Sequence, residues 1–149
     1  MFIYVRDKTD RIINLDSVSS IALLEQDHRV VFNMAYACTV SSMGTKKKGT
    51  ELADYIYWDN YNDEELQKIL SSDYIKQNFV QFPGHCRLIN KHHIASIKID
   101  EERSRVIVNI KCSIRLRPGA DLSSDFIFID AQSPEQFEEF KQSAFSLVQ

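Results

Sequence analysis

Apolar and polar residues alternate along two long stretches of this chain. From Val30 to Val40 the even positions are Val30, Phe32, Met34, Tyr36, Cys38 and Val40, and the odd positions between them are mostly small or polar. From Val106 to Leu116 the even positions are Val106, Val108, Ile110, Cys112, Ile114 and Leu116, separated by Ile107, Asn109, Lys111, Ser113 and Arg115. A period of two sustained this long predicts a strand with one buried face. Parallel strands buried on both faces read as continuous apolar runs, so the alternation points to antiparallel pairing. The segment before each long strand is less regular. Its apolar positions are Val18, Ile21 and Leu23 in one case and Ile94, Ile97 and Ile99 in the other, and the period slips by one residue at the same place in both. A β-bulge near Ser19-Ser20 and near Ala95-Ser96 accounts for the slip. Gln26-Asp27-His28 and Glu102-Arg103-Ser104 then read as the hairpin turns.

These two patterns are one pattern written twice. Residues 11–34 align with 87–110 without a gap, 76 positions apart, with 9 of 24 residues identical. The match extends upstream, from Phe2-Ile-Tyr-Val5 to Phe79-Val-Gln-Phe82. It extends downstream from Asp54–Asp59 to Asp125–Asp130, now 71 apart. Each copy ends in a helix with a start signal: Asn62-x-x-Glu65 has the spacing of a capping box, and Ser133-Pro134-x-Gln136 places Ser at the N-cap and Pro at the first helical position. Phe137, Phe140, Ala144 and Leu147 form one helical stripe. The first helix offers Leu66, Ile69 and Leu70 and breaks near Ser71-Ser72-Asp73, and a short helical piece over 73–78 links the copies. The sequence therefore predicts an α+β, β-rich fold. It is a tandem duplication of a β-β-β-β-β-α unit, with antiparallel curled sheets each followed by a C-terminal helix. The copies occupy 1–78 and 79–149 and pack as one compact unit.

Composition adds exclusions. The apolar fraction of 44%, with nine Phe and six Tyr, is ample for a core, and only four Gly and three Pro argue against disorder. The net charge of −3 gives no global field for nucleic acid or an acidic membrane, although a local basic patch can act against it. The N-terminus lacks the basic and apolar regions of a signal peptide, no apolar run approaches a membrane span, and three scattered cysteines make no disulfide framework. The expectation is a soluble cytoplasmic protein with reduced thiols, no membrane association and no cofactor.

The repeat also sorts the chemistry. Cys38 and Cys112 lie on the apolar parity of their strands and read as small buried hydrophobes. Asp59 and Asp130 recur at a strand–helix junction and read as turn formers. Asn14/Asn90 and Asn33/Asn109 read as bonding to backbone at bends. His85, Cys86, His92 and His93 lack the spacing of a zinc site, and His92 and His93, as neighbours, point to opposite sides. No Gly-rich phosphate loop, G-x-S-x-G or HExxH is present. The unpaired features are few. Lys46, Lys47 and Lys48 sit in a Gly/Ser/Thr segment that reads as a hairpin tip, either simply solvated or a basic contact. Arg105, Lys111, Arg115 and Arg117 share the outward parity of the second long strand, where the first copy has Arg29, Ala35, Thr39 and Ser41. That stripe is either a solvated face or an anion-, nucleic-acid- or acidic-protein-binding face.

Over 66–110, Leu66…Leu70, Phe79-Val80, His85, Leu88-Ile89-Asn90, Ile94, Ile97 and Val106-Ile107-Val108 resemble the core of LytTR-type DNA-binding domains. Ile13–Val18 with Arg29-Val-Val31 is similar to that family's opening strands. The resemblance implies an elongated β-fold that inserts loops into the major groove. The departures fall where DNA would be read. The His-to-Asn spacing is one short, Pro83-Gly84 interrupts the lead-in, and the family's basic C-terminal segment is here the acidic Asp130–Glu135. His85, Arg87 and Asn90 are the positions the resemblance carries over, with Lys91 beside them. Each copy is also similar to FlbD-type small flagellar proteins, which implies no activity. Three readings remain open: a non-enzymatic interaction module with a protein partner, favoured; a LytTR-like DNA-binding regulator; and a thiol-dependent enzyme using Cys86 with His85.

Overall fold

The computed structural model describes residues 1–6, 10–40, 51–111 and 125–148. Ten strands and three helices follow in the predicted order. The first copy contains β1 (Phe2–Arg6), β2 (Asp10–Asn14), β3 (Val18–Leu24), β4 (Arg29–Val40), β5 (Glu51–Asp59) and helix α1 (Asp63–Leu70). Helix α2 (Asp73–Asn78) leads directly into the second copy, with β6 (Phe79–Gln81), β7 (Arg87–Asn90), β8 (Ile94–Asp100), β9 (Arg105–Ile110), β10 (Asp125–Asp130) and α3 (Pro134–Phe145). Every paired strand is antiparallel. No helix among the described residues is long and apolar enough to cross a membrane.

The local signals act as their chemistry requires. The register slips between Val18 and Ser20 in β3 and between Ile94 and Ser96 in β8, so the bulge is present in both copies. His28 (φ 47°) and Ser104 (φ 48°) occupy the left-handed region that closes each hairpin. The side chain of Asn62 accepts from the N–H of Glu65, and that of Ser133 from the N–H of Gln136, each 3.1 Å away. Each cap satisfies a helix N–H that would otherwise lack a partner.

The sheets do not follow the boundary between copies. Instead of one sheet per copy there are three: β1-β2, β5-β4-β3-β7-β6 and β10-β9-β8. The second copy's first hairpin, β6–β7, has joined the sheet of the first copy through β7 against β3, with Ser20 opposite Ile89, Ile21 opposite Leu88 and Ala22 opposite Arg87. Because successive side chains point to opposite faces, β7 serves two cores. Leu88 and Phe79 pack with Ile3, Val18, Phe32, Trp58 and Ile75 of the first core. Ile89 and Phe82 pack with Val106, Val108, Ile129, Phe137 and Phe140 of the second. Each such side chain contributes about 1.5–3 kcal/mol on full burial. The hairpin is therefore a principal link between the halves.

Asn90 locks this joint. It is 1% exposed. Its side-chain amide donates to Val18 O at 2.9 Å, across the copies, while its Oδ1 accepts from the N–H of His92 at 3.1 Å. Among the described residues, Asn14, its counterpart, makes the second kind of bond alone, accepting from the N–H of Asp16 at 3.2 Å. Replacing each by Ala in dilute protein separates these roles. Asn90→Ala should lower unfolding stability by about 1–3 kcal/mol, and Asn14→Ala by about 1 kcal/mol or less. Equal losses in denaturant titrations would show that the cross-copy bond contributes nothing.

Candidate functional site

The connection from β6 to β7 is a type II turn. Pro83 supplies the fixed φ of the second position, and Gly84 takes φ +73° at the third. The N–H of His85 closes the turn on Phe82 O at 3.0 Å. A side chain at Gly84 would be strained by that φ, and its Cβ would also lie 3.2 Å from Gln136 Nε2. The turn is held from both sides: Gln81 Nε2 donates to His85 O at 2.9 Å, and Leu23 N–H donates to Cys86 O at 2.9 Å.

His85 and Cys86 thereby form one wall of an open groove of about 600 Å³, whose other wall is Leu23 to Asp27 at the end of β3. Glu25 and Asp27 make that opposite wall acidic. His85 is half-buried, and its Nδ1 accepts from the N–H of Arg87 at 3.3 Å. Burial, and then the nearby Arg87 charge, hold its pKa below the ordinary value of 6.5. The ring is neutral at pH 7, with its proton on Nε2. That nitrogen is a donor, while the acceptor nitrogen already holds a backbone N–H. A base that activates a neighbouring thiol needs a free acceptor nitrogen. The arrangement supplies a hydrogen-bond donor and an exposed thiol at Cys86.

The other expected contact residues do not gather at this groove. Arg87 is half-buried at the start of β7. Lys91 lies past the far end of β7, and its Nζ donates to Gln77 O at 2.9 Å. Lys111 is exposed at the same end, its N–H bonded to His93 O at 2.7 Å. With a rise near 3.3 Å per residue, the length of β7 separates His85 from Lys91 by about 15–20 Å. Two expected contacts are engaged within the protein instead. Asn90 is interior, as described above. Arg105 pairs with Asp130 and lies 4.7 Å over the ring of Phe128. Its counterpart Arg29 does the same with Asp59 and, at 4.3 Å, with Tyr57. Arg105 is thus a repeated structural residue, and Asp59 and Asp130 are ion-pair partners more than turn formers. Recurrence of Arg29 at 105 and of Asp59 at 130 was the sequence signal for this pairing. Lys46, Lys47, Lys48, Arg115 and Arg117 lie outside the described residues, as do Cys112 and the side chain of Cys38.

The remaining polar residues are also structural. Asn33 and Asn109 donate to the hydroxyls of Ser20 and Ser96, at 3.1 and 2.6 Å, and bond across the bulges to side chains where backbone was expected. His92 and His93 diverge as expected: His92 bonds Asn78 Oδ1 and His93 bonds Asp16 O, each at 2.8 Å. Among the described residues, no three His, Cys, Asp or Glu side chains cluster closely enough to hold a metal ion.

The fold has a counterpart among solved structures. The chain is similar to the LytTr DNA-binding domain of a Bacillus cereus protein described as a methyl-accepting/DNA response regulator. The TM-score is 0.53, and 99% of this chain and 95% of that one are covered, at 8% identity. At that identity the likeness is one of fold. No protein-family model matches the chain, and no curated protein does.

The electrostatics of His85 can be read directly. In an NMR titration its ring should show a midpoint below 6.5. Arg87→Ala should raise that midpoint, because one of the two depressing influences is removed. Since the unfolded chain takes this proton first, the same group makes stability fall as pH drops below 6.5 toward the folded midpoint. A midpoint at or above 6.5 would contradict the buried, neutral ring.

Proposed function

We propose that this chain is a non-catalytic binding module and that its ligand is duplex DNA. One observation carries the reading: the fold matches that of a LytTr DNA-binding domain over 99% of this chain. The residues favour binding over chemistry. The imidazole beside Cys86 has its acceptor nitrogen already engaged by the N–H of Arg87, so His85 is not set as the base for that thiol. The net charge of −3 means that contact must be made by local cations.

The proposed contacts are His85, whose Nε2–H is a neutral donor, with Arg87, Lys91 and Lys111. The remaining cations, Lys46, Lys47, Lys48, Arg115 and Arg117, join them. Asn90 is left out because it is buried, and Arg105 because Asp130 and Phe128 hold it; Lys91 stays because its bond to Gln77 O uses only one of three ammonium donors. A protein partner is the second reading, and the apolar surface described below favours it.

Binding of a random duplex pool should be detectable at low salt and should weaken steeply as salt rises, because neutralised phosphates release counterions. Ala at Arg87, at Lys91, at 46–48 together or at 115 and 117 together should each weaken binding. Each lost phosphate contact should flatten the plot of log affinity against log salt by about 1. Absence of binding to any duplex at low salt would reject DNA as the ligand.

A further inference from the structure

The hairpin β1–β2 is the repeat counterpart of β6–β7, yet among the described residues no third strand pairs with it. In β6–β7, Phe79 and Leu88 face the other copy and are 5% and 6% exposed. Their counterparts Phe2 and Ile12 are 70% and 74% exposed. The residues that face each hairpin's own copy behave alike in both: Ile3, Val5 and Ile13 are buried, as are Phe82 and Ile89. What is missing in the first hairpin is therefore only the contact with a neighbouring unit.

The receiving edge is missing its occupant too. β3 is paired on both sides, by β4 and β7. Its counterpart β8 is paired by β9 alone among the described residues. Ser19 and Ser20 are each 2% exposed, whereas Ala95 and Ser96 at the same positions are exposed. Beside that edge lies a groove of about 470 Å³ between Ile94 and Ile97 of β8 and Ser146-Leu147 after α3. Phe145 and Val148, at the end of the same helix, are 63% and 73% exposed. In the occupied joint, Tyr74 packs against Phe79, with ring centroids 6.4 Å apart. In the repeat alignment Phe145 stands at the position of Tyr74, and Phe2 at that of Phe79.

We infer that a second copy of this chain completes the pattern: the β1–β2 hairpin of one molecule pairs with the β8 edge of another, as β6–β7 pairs with β3 within one molecule. The repeat fixes the register. Shifting the β3–β7 pairs by 76 residues places Ser96 opposite Ile13, Ile97 opposite Ile12 and Lys98 opposite Arg11. The backbone is oriented for it. Leu15 N–H donates to Met1 O, which by strand alternation leaves the peptide groups of Ile12 on the far side from β1. Asn14 would supply its side-chain amide to Ile94 O, as Asn90 supplies Val18 O. Phe2, Ile12, Phe145 and Val148 would be covered together. Tyr4, opposite Ile12 in the same hairpin, is also exposed; the other large exposed apolar residues among those described, Tyr55, Tyr57, Phe126 and Phe128, lie on β5 and β10.

The contact joins two different surfaces, so it is heterologous and builds a ring or an open chain of molecules. One pair opposes it: Lys98 faces Arg11, where the occupied joint has Ala22 facing Arg87. Lysine on an edge strand and like charges opposite one another both weaken pairing. The association is therefore weaker than the intramolecular joint.

The test uses the full chain without nucleic acid, so its outcome is independent of the DNA reading. Sedimentation or light scattering across a concentration series should show reversible assembly. Ile12→Asp should abolish it, and Lys98→Ala should tighten it about 2- to 5-fold. Both side chains are exposed, so the monomer should stay folded. Hydrogen exchange at the amides of Ile97 and Ile99 should be fast in dilute protein and slow on concentration. A chain that stays monomeric at all concentrations overturns the proposal, as does assembly unaffected by Ile12→Asp. Amides already protected in the monomer also overturn it, because they show that another segment of the same chain covers the edge.

Discussion

The ladder between β3 and β7 is the contact on which the rest of the molecule depends. β7 is four residues long, and its two faces belong to different cores, Leu88 to one and Ile89 to the other. A slip of one residue would exchange the two side chains and turn the Asn90 amide away from Val18. Both edges of the strand are paired, by β3 and by β6, so its peptide groups find partners where water is absent. Without this ladder each half would present an apolar sheet face to solvent. With it, one five-stranded sheet takes strands from both copies.

The two halves repeat the same order of elements but not the same surroundings. Arg29 with Asp59 and Tyr57, and Arg105 with Asp130 and Phe128, are the same device used twice at the open end of each long hairpin. These groups are partly exposed, so solvent screens each ion pair and leaves it a small contribution. They set where the strand ends meet and leave the main stabilisation to the two cores. By contrast, Ile12 and Leu88 occupy equivalent places and differ almost completely in exposure, because one has a neighbouring unit and the other does not. Duplicated residues thus divide into those that serve their own unit and those that serve the joint.

The candidate site was legible only in part. Pro83-Gly84 was read only as a break before His85, although Pro followed by Gly is the residue pair a type II turn takes, and His85-Cys86 stood out as unpaired in the repeat. The opposite wall, Leu23 to Asp27, lies some 60 positions earlier in the chain, and nothing local connects it to His85. The engagement of Asn90 with Val18 is equally non-local, because it exists only once β7 lies on β3. Arg105 was readable in principle, since Arg29 and Asp59 recur as Arg105 and Asp130 in the aligned copies.

The sequence by itself determined the order of the described elements, the bulges of β3 and β8, the hairpin turns, the caps of α1 and α3, and the break between α1 and α2; it did not foresee that β9 ends at Ile110, before Lys111, or the register shift between Asn33 and Cys38. All of these depend on period, φ preference or hydrogen bonds within a few residues, so they are written locally. Tertiary structure decided which hairpin joins which sheet, and therefore which apolar residues are covered. Arg11-Ile-Ile-Asn14 and Arg87-Leu-Ile-Asn90 are nearly interchangeable as strands, and no local rule distinguishes them. The distinction comes from connection. The turns Leu15–Ser17 and Lys91–His93 tie β2 and β7 alike to the strands that follow, but α2 runs straight into β6 and holds that hairpin beside the first sheet. Proximity along the chain lowers the entropy of closure for one pairing, while the equivalent edge of β8 has no strand beside it among the described residues.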